Sequence, residues 1–283
     1  MKWLVINADD FGLDPAVNAA IIQAHTTGIL TSASLLVTGP HADEAIQLAQ
    51  RHPALGVGVH LCLVQGRAAK PTVLSSDDGR LPGGPRELSA RISTDPRVLP
   101  AVEQELRAQL EQFLSTGLRP THIDSHMHTH MHPRILPLVI RLAREHRIDW
   151  VRAPREEFWR SVRSSGAGRP LRSAARWPIF AVLGGRALRR LRSEGIHTTD
   201  RAVGVLNPGQ LAEPYVGNYL ECLPDGLTEM FFHPAMETTP LLAACQSGYQ
   251  HSGELAALCS PRVKAIINSV GIKLVNFRGL PVS

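Results

Sequence analysis

The sequence predicts an α/β fold: a distorted (β/α) barrel forming a single domain over residues 1–283, with a helical, basic insertion. Three observations predict it. About eight short apolar runs alternate with stretches of helical period, which is the pattern of parallel βαβ units. The length of 283 residues suits one barrel, since such barrels commonly take about 250 residues. Asp and His side chains stand at the ends of several apolar runs, and that is the rim where barrel enzymes carry their chemistry.

Taken in order, residues 3–8 read as a buried strand. Asp14 reads as a helix cap, Pro15 as a first helical position and Gly28 as a stop. Residues 30–38 predict a second strand, 41–51 a helix and 56–64 a third strand. Residues 65–97 are rich in Gly, Pro, Ser and Asp and show little period, so they predict a long loop of the kind that serves as a lid. A helix is expected over 99–115, ended by Gly117, then a strand over 121–125 and a helix over 133–146 that begins with proline. Residues 149–153 predict another strand, 156–195 the helical insertion, and 202–206, 228–232 and 273–277 the last strands.

Composition narrows the class. Hydrophobic residues make up 43% and charged residues 19%, the balance of an ordinary globular chain. Cys62, Cys222, Cys245 and Cys259 form no C-x-x-C pair, which argues against a thiolate zinc site or a redox motif and predicts buried, reduced thiols in a cytoplasmic protein. The apolar run after Met1 and Lys2 is too short for a secretory signal, and no run of about 18 apolar residues predicts a membrane span. The net charge of +5 is concentrated locally: from Arg155 to Arg192 there are ten arginines, no lysine, and Glu156 and Glu157 as the acids. Within that stretch, residues 177–183 are apolar and precede Arg186, Arg189, Arg190 and Arg192, a pattern suited to peripheral contact with an anionic membrane through 177–192. The insertion lacks the aromatic interleaving of single-strand binders, so no nucleic-acid partner is expected.

The residues that carry chemistry collect at one rim. Asp9 and Asp10 close the first strand, His60 lies near the end of the third, and Asp124, His126, His128, His130 and His132 cluster at and after the fourth. His233 ends a late strand in Met230-Phe231-Phe232-His233-Pro234. One carboxylate with two imidazoles is a common ligand set for a catalytic divalent ion. Zinc suits the mixture best, with magnesium, cobalt and manganese as alternatives. Neighbouring strand residues face opposite ways, so Asp9 and Asp10 can share a site only where the backbone turns, one binding metal and the other taking a proton. A histidine across the site supplies the general acid, and His233 is placed for it. A two-metal phosphodiesterase would need more carboxylates at the rim than these. His25 lies within a helical pattern and reads as structural.

Asn7-Ala8-Asp9-Asp10-Phe11-Gly12-Leu13, Val17-Asn18, Ala24-His25 and Thr31-Ser32 resemble the opening of the YdjC-like carbohydrate deacetylases, the ChbG-type group. Gly56-Val57-Gly58-Val59-His60-Leu61, Thr121-His122-Ile123-Asp124-Ser125-His126 and His233-Pro234 continue the resemblance in order. It implies a barrel of about seven strands, hydrolytic removal of acetate from N-acetylglucosamine units, and a homodimer. It implies metal ligands at Asp10, His60 and His126, a general base at Asp9, and an acid or transition-state stabiliser at His233. Asp124, His128, His130 and Arg155 are expected to support the site or touch substrate, Arg155 either on the substrate or orienting Asp9. Leu61-Cys62-Leu63-Val64-Gln65-Gly66-Arg67, Val151-Arg152-Ala153-Pro154-Arg155-Glu156 and the arginine-rich insertion resemble the hopanoid-associated HpnK branch, which implies a lipid-linked amino sugar. Asp124-Ser125-His126 looks more like the chitooligosaccharide branch, which leaves diacetylchitobiose as the alternative substrate.

Overall fold

β1 (Lys2–Phe11) is buried from Leu4 onward because both of its faces are covered, as in the parallel sheet of an α/β protein. The computed structural model describes residues 1–166, 175 and 177–280. After β1, Asp14 caps α1 (Pro15–Thr27) by accepting the Ala16 N–H at 2.8 Å, and Gly28 ends it. The alternation continues through β2 (Ser32–Leu35), α2 (Ala42–Arg51), β3 (Gly56–Leu61), α3 (Pro85–Thr94), α4 (Val98–Ser115), β4 (Ile123–Ser125) and α5 (Leu136–Glu145). The insertion supplies α6 (Phe158–Ser164) and α7 (Trp177–Ser193). Then come β5 (Arg201–Val203), α8 (Glu213–Glu221), β6 (Gly226–Phe232), α9 (Pro240–Cys245), α10 (His251–Cys259), α11 (Pro261–Val270) and β7 (Lys273–Leu274).

Among the described residues the sheet has seven parallel strands, in the order β4-β3-β2-β1-β6-β5 with β7 added against the start of β1. Parallel pairing places every strand's C-terminal end at one rim, which the site needs. The two edge strands are joined irregularly. Ile123 donates to the Trp150 carbonyl and accepts from the Arg152 N–H, Val151 donates to His197, and Ala202 donates to Arg155. Residues 149–155 thus close a distorted barrel by isolated bridges and a few backbone bonds rather than by a continuous ladder. This corrects the strand expected over 149–153: only isolated bridges form there, Ile123 to Val151 and Trp150 to His197, and Pro154 has no N–H with which to extend the ladder.

Other expectations shift for local reasons. The second strand is four residues long rather than spanning 30–38, because the chain turns at Gly39, whose N–H returns to the Leu36 carbonyl. Within 65–97 a helix forms: Pro85 starts α3, and Leu88 and Ile92, one turn apart, bury its inner face. Two apolar positions among ten residues are a weak periodic signal. The helix expected from Pro133 begins at Leu136, after a 3-10 segment His126–Met131. The four cysteines are unpaired, yet only Cys62 is buried and Cys222 is exposed, contrary to the expectation that all are buried. Residues 167–174 and 176 of the expected insertion lie outside the described residues. No described helix is long and apolar enough to cross a membrane.

Candidate active site

The rim begins with a break in β1. Between Ala8 and Phe11 the pairing with β2 shifts register, with three steps on β1 spanning two on β2. One extra residue in a strand is a β-bulge, which turns neighbouring side chains toward one side. Asp10 takes it up at φ 63°, a conformation uncommon for a residue with a side chain. Asp9 and Asp10 thereby face the same site, which a regular strand forbids. Gly12 follows at φ 102°, where a Cβ would lie 3.0 Å from the Leu36 carbonyl oxygen.

Asp10 meets two histidines from other strands. His60 Nε2 lies 3.3 Å and His126 Nδ1 2.9 Å from Asp10 Oδ1. The candidate ligand atoms of Asp10, His60 and His126 all fall within 4.8 Å of one another. His60 is register partner to Asp124, and its Nδ1 donates to Asp124 Oδ1 at 2.8 Å. That bond leaves the Nε2 lone pair facing Asp10. A carboxylate oxygen and imidazole lone pairs converge here, an arrangement that repels itself unless a proton or cation sits within it, so the donor set fits a divalent ion. Gln246 steadies the other Asp10 oxygen, donating to Oδ2 at 2.6 Å. Burial pushes the Asp10 carboxyl up, but the charges and hydrogen bonds of His126 and His60 outweigh this and hold it well below the usual carboxylate range.

Behind the ligands lies a buried charge hub. The Arg152 side chain is fully enclosed, with Nη1 donating to Asp9 Oδ2 and Nη2 to Asp9 Oδ1, both at 2.8 Å. The same guanidinium meets Asp124 Oδ2 at 2.7 Å and Glu229 Oε1 at 2.8 Å. Asn7 donates to Asp9 Oδ1 at 2.9 Å, and Ser34 donates to Asp124 Oδ2 at 2.7 Å. Burial raises the Asp124 carboxyl, but Arg152 and His60 hold it far below its ordinary value. Burial pushes Glu229 up to about 7 against the pull of Arg152. Asp9, His60 and Asp124 also lie close enough to suggest a metal group. There, however, the guanidinium already bridges the two carboxylates and His60 Nδ1 is committed to Asp124, so a second cation is disfavoured.

His233 sits across from Asp9, its Nε2 3.9 Å from Asp9 Oδ2, too far for a hydrogen bond. Its backbone is gripped on both sides: the N–H donates to Glu254 at 2.6 Å, and His251 Nδ1 reaches the carbonyl at 2.7 Å. Burial lowers the His233 imidazole below its usual pKa, against the charges of Asp9 and Asp10. His130 and His128 point elsewhere. His130 bonds Ser125 at 2.6 Å and the Arg152 carbonyl at 2.8 Å, propping up the hub, and burial pushes it down to about 4. His128 packs edge-on between Phe180 of α7 and Phe231 of β6. His25 bonds the Leu30 carbonyl at 2.9 Å.

The contact with Asp9 expected of Arg155 is made by Arg152; Arg155 is exposed, and its side chain donates to the Asp200 carbonyl at 3.4 Å. Arg152 was legible as a charged residue at the inner end of an apolar run, and Glu229 as a lone acid inside a buried strand. Gln246 and Gln65 arrive from loops and carry no such signal.

The family described as YdjC-like protein matches residues 3–269. A protein of Geobacillus stearothermophilus named carbohydrate deacetylase is 33% identical over 279 residues, 98% of this chain and 97% of its own length. A protein of Salmonella paratyphi B named chitooligosaccharide deacetylase is 38% identical over 148 residues, 52% of this chain and 58% of its own. A crystal structure from Enterococcus faecalis V583, provisionally described as a cellobiose-phosphate cleavage protein, is 28% identical with a TM-score of 0.75, covering 98% of both chains.

Proposed function

The chain belongs to the YdjC-like protein family, and from that premise we propose that it is a metal-dependent carbohydrate N-deacetylase, a hydrolase that splits the acetamide C–N bond of an N-acetylglucosamine unit. The observation that carries this reading is the convergence of Asp10, His60 and His126, with Asp124 fixing the His60 tautomer. These three side chains would hold one divalent ion, for which zinc is the best match. When bound, such an ion polarises a carbonyl and acidifies water. Asp9 takes the proton of the attacking water, with its plane set by the two-toothed Arg152 contact. His233 protonates the departing amine or stabilises the developing charge, held in place by Glu254 and His251.

The substrate class follows from the relatives. They are named carbohydrate and chitooligosaccharide deacetylase, which favours diacetylchitobiose over the lipid-linked sugar implied by the branch resemblance. One observation supports the lipid-linked reading as a second. Ile179 and Val182 on α7 are 60% and 52% exposed, and Phe180 of the same helix touches His128, two residues from His126. An apolar aglycone or an anionic membrane surface would meet α7 there, beside exposed Arg186 and Arg189. Mass spectrometry for loss of an acetyl group, run in parallel on diacetylchitobiose and on an N-acetylglucosaminyl hopanoid, tests both. Turnover of the first alone supports the main reading, turnover of the second alone supports the lipid reading, and turnover of neither sinks the deacetylase.

A further inference from the structure

α4 buries two polar side chains within an otherwise apolar inner face. Glu105 and Gln109 are 0% exposed and lie one turn apart. A buried carboxylate is costly unless its oxygens are bonded, so the bonds made here disclose what the pair is for. All of them secure the chain that leaves β3. Gln109 Oε1 accepts the Cys62 N–H at 2.8 Å, and its Nε2 donates to the Cys62 carbonyl at 2.6 Å. Glu105 accepts the Ala69 N–H at 2.7 Å and the Lys70 N–H at 3.1 Å, and Gln109 Nε2 braces it at 2.6 Å. The helix therefore grips both ends of the span from 62 to 70.

Gln65 lies in the middle of that span. Its backbone is held at φ 58°, and its N–H donates to the Pro82 carbonyl at 2.8 Å. A residue with a side chain keeps that conformation when its surroundings impose it. The result is that Gln65 Oε1 reaches His126 Nε2 at 3.3 Å.

We propose that Gln65 is a positioning residue for the metal ligand His126, and that the buried Glu105–Gln109 pair holds the 62–70 span in the shape that presents it. This rests on the reading of Asp10, His60 and His126 as ligands. A neutral imidazole has one donor nitrogen and one acceptor nitrogen. By accepting the Nε2 hydrogen, Gln65 leaves the His126 Nδ1 lone pair directed at Asp10, as Asp124 does for His60. Both ligand histidines then have an outer partner that sets tautomer and ring plane, one a buried carboxylate and one a loop amide.

Titrating the metal-free protein with cobalt(II), read by visible absorption, tests this without relying on turnover. Gln65→Ala is expected to weaken cobalt binding about 10-fold, the low end of the loss seen when such partners are removed. Gln65→Glu keeps an acceptor and should restore binding. In Glu105→Gln the new amide NH2 confronts either the Ala69 N–H and the Gln109 amide, which share one Glu105 oxygen, or the Lys70 N–H on the other, so cobalt binding should weaken and the 62–70 amides should exchange faster with solvent. If Glu105→Gln does not fold, Lys70→Pro removes one of the two bonded amides from an exposed position and should weaken binding in the same direction. Parent-like binding by Gln65→Ala overturns the role of Gln65. Parent-like binding and exchange in the Glu105→Gln or Lys70→Pro protein overturn the clamp. If the parent itself binds no cobalt, the metal reading fails and this proposal fails with it.

Discussion

The buried hub and the basic insertion use the same residue type to opposite ends. Arg152 has a fully enclosed side chain and faces Asp9, Asp124 and Glu229 at 2.8, 2.7 and 2.8 Å. On α7 the arginines are exposed. Arg190 meets Glu194 at 2.5 Å and Arg192 meets Asp200 at 2.8 Å, both across the surface. Surface pairs of that kind are worth about 0–1 kcal/mol, whereas a buried guanidinium holds carboxylates that would otherwise be stranded in low dielectric. The arginine on which the site depends thus lies outside the stretch where arginines are dense.

The sharpest way to break this contrast is to remove Arg152. Arg152→Ala leaves three buried carboxylates without their counter-charge and should cost about 3–5 kcal/mol in urea denaturation. Deacetylation should fall by about 100-fold or more, because Asp9 loses its two-toothed support. Arg152→Lys keeps a charge but not the fork, and should fall between. Parent-like stability and turnover in Arg152→Ala would show that the hub is ornamental.

A smaller effect is expected on lowering the pH. Burial pushes His122 down to about 4 from an unfolded value of 6.5, and its Nε2 contacts the Ser34 hydroxyl at 3.0 Å. Below pH 6.5 the unfolded chain takes up a proton that the folded chain refuses, so stability is full above 6.5 and declines as the pH falls toward 4. The loss approaches about 3 kcal/mol for one such group. His130 is pushed down to about 4 in the same way and contributes a parallel slope. Denaturation midpoints at pH 7 and 4.5 should show the decline, and His122→Gln should flatten part of it; an unchanged slope would contradict the assignment.

The smallest effect belongs to the insertion. Replacing Arg186 and Arg189 together by Glu should change stability by less than about 0.5 kcal/mol and leave turnover of diacetylchitobiose unaltered. The same variant should lose salt-sensitive binding to phosphatidylglycerol vesicles if the second reading of α7 holds.

How legible the site was depends on how each residue is delivered. Asp9, Asp10, His60, Asp124 and His233 stand at the ends of apolar runs, so a barrel's parallel geometry places them together, and the sequence pattern carries that information. The sharing of one face by Asp9 and Asp10 needed a backbone turn, which the bulge at Asp10 provides. The irregular closure by residues 149–155 was not legible, because each neighbour is met at an isolated bridge or a lone bond that leaves no alternating pattern. The site contacts of Gln246 and Gln65 leave no periodic signal because loops bring them in, Gln65 through a left-handed turn. Asp124 and His126 belong to one motif, yet the structure separates their work: one supports His60, while the other faces Asp10.

The proposed reaction depends on a cation held by Asp10, His60 and His126. Acetate released from diacetylchitobiose should be measured on the parent, the chelator-treated parent, the zinc-restored parent and Asp10→Ala. Release is expected from the first and third and none from the second and fourth. Undiminished release after chelation and in Asp10→Ala would contradict it.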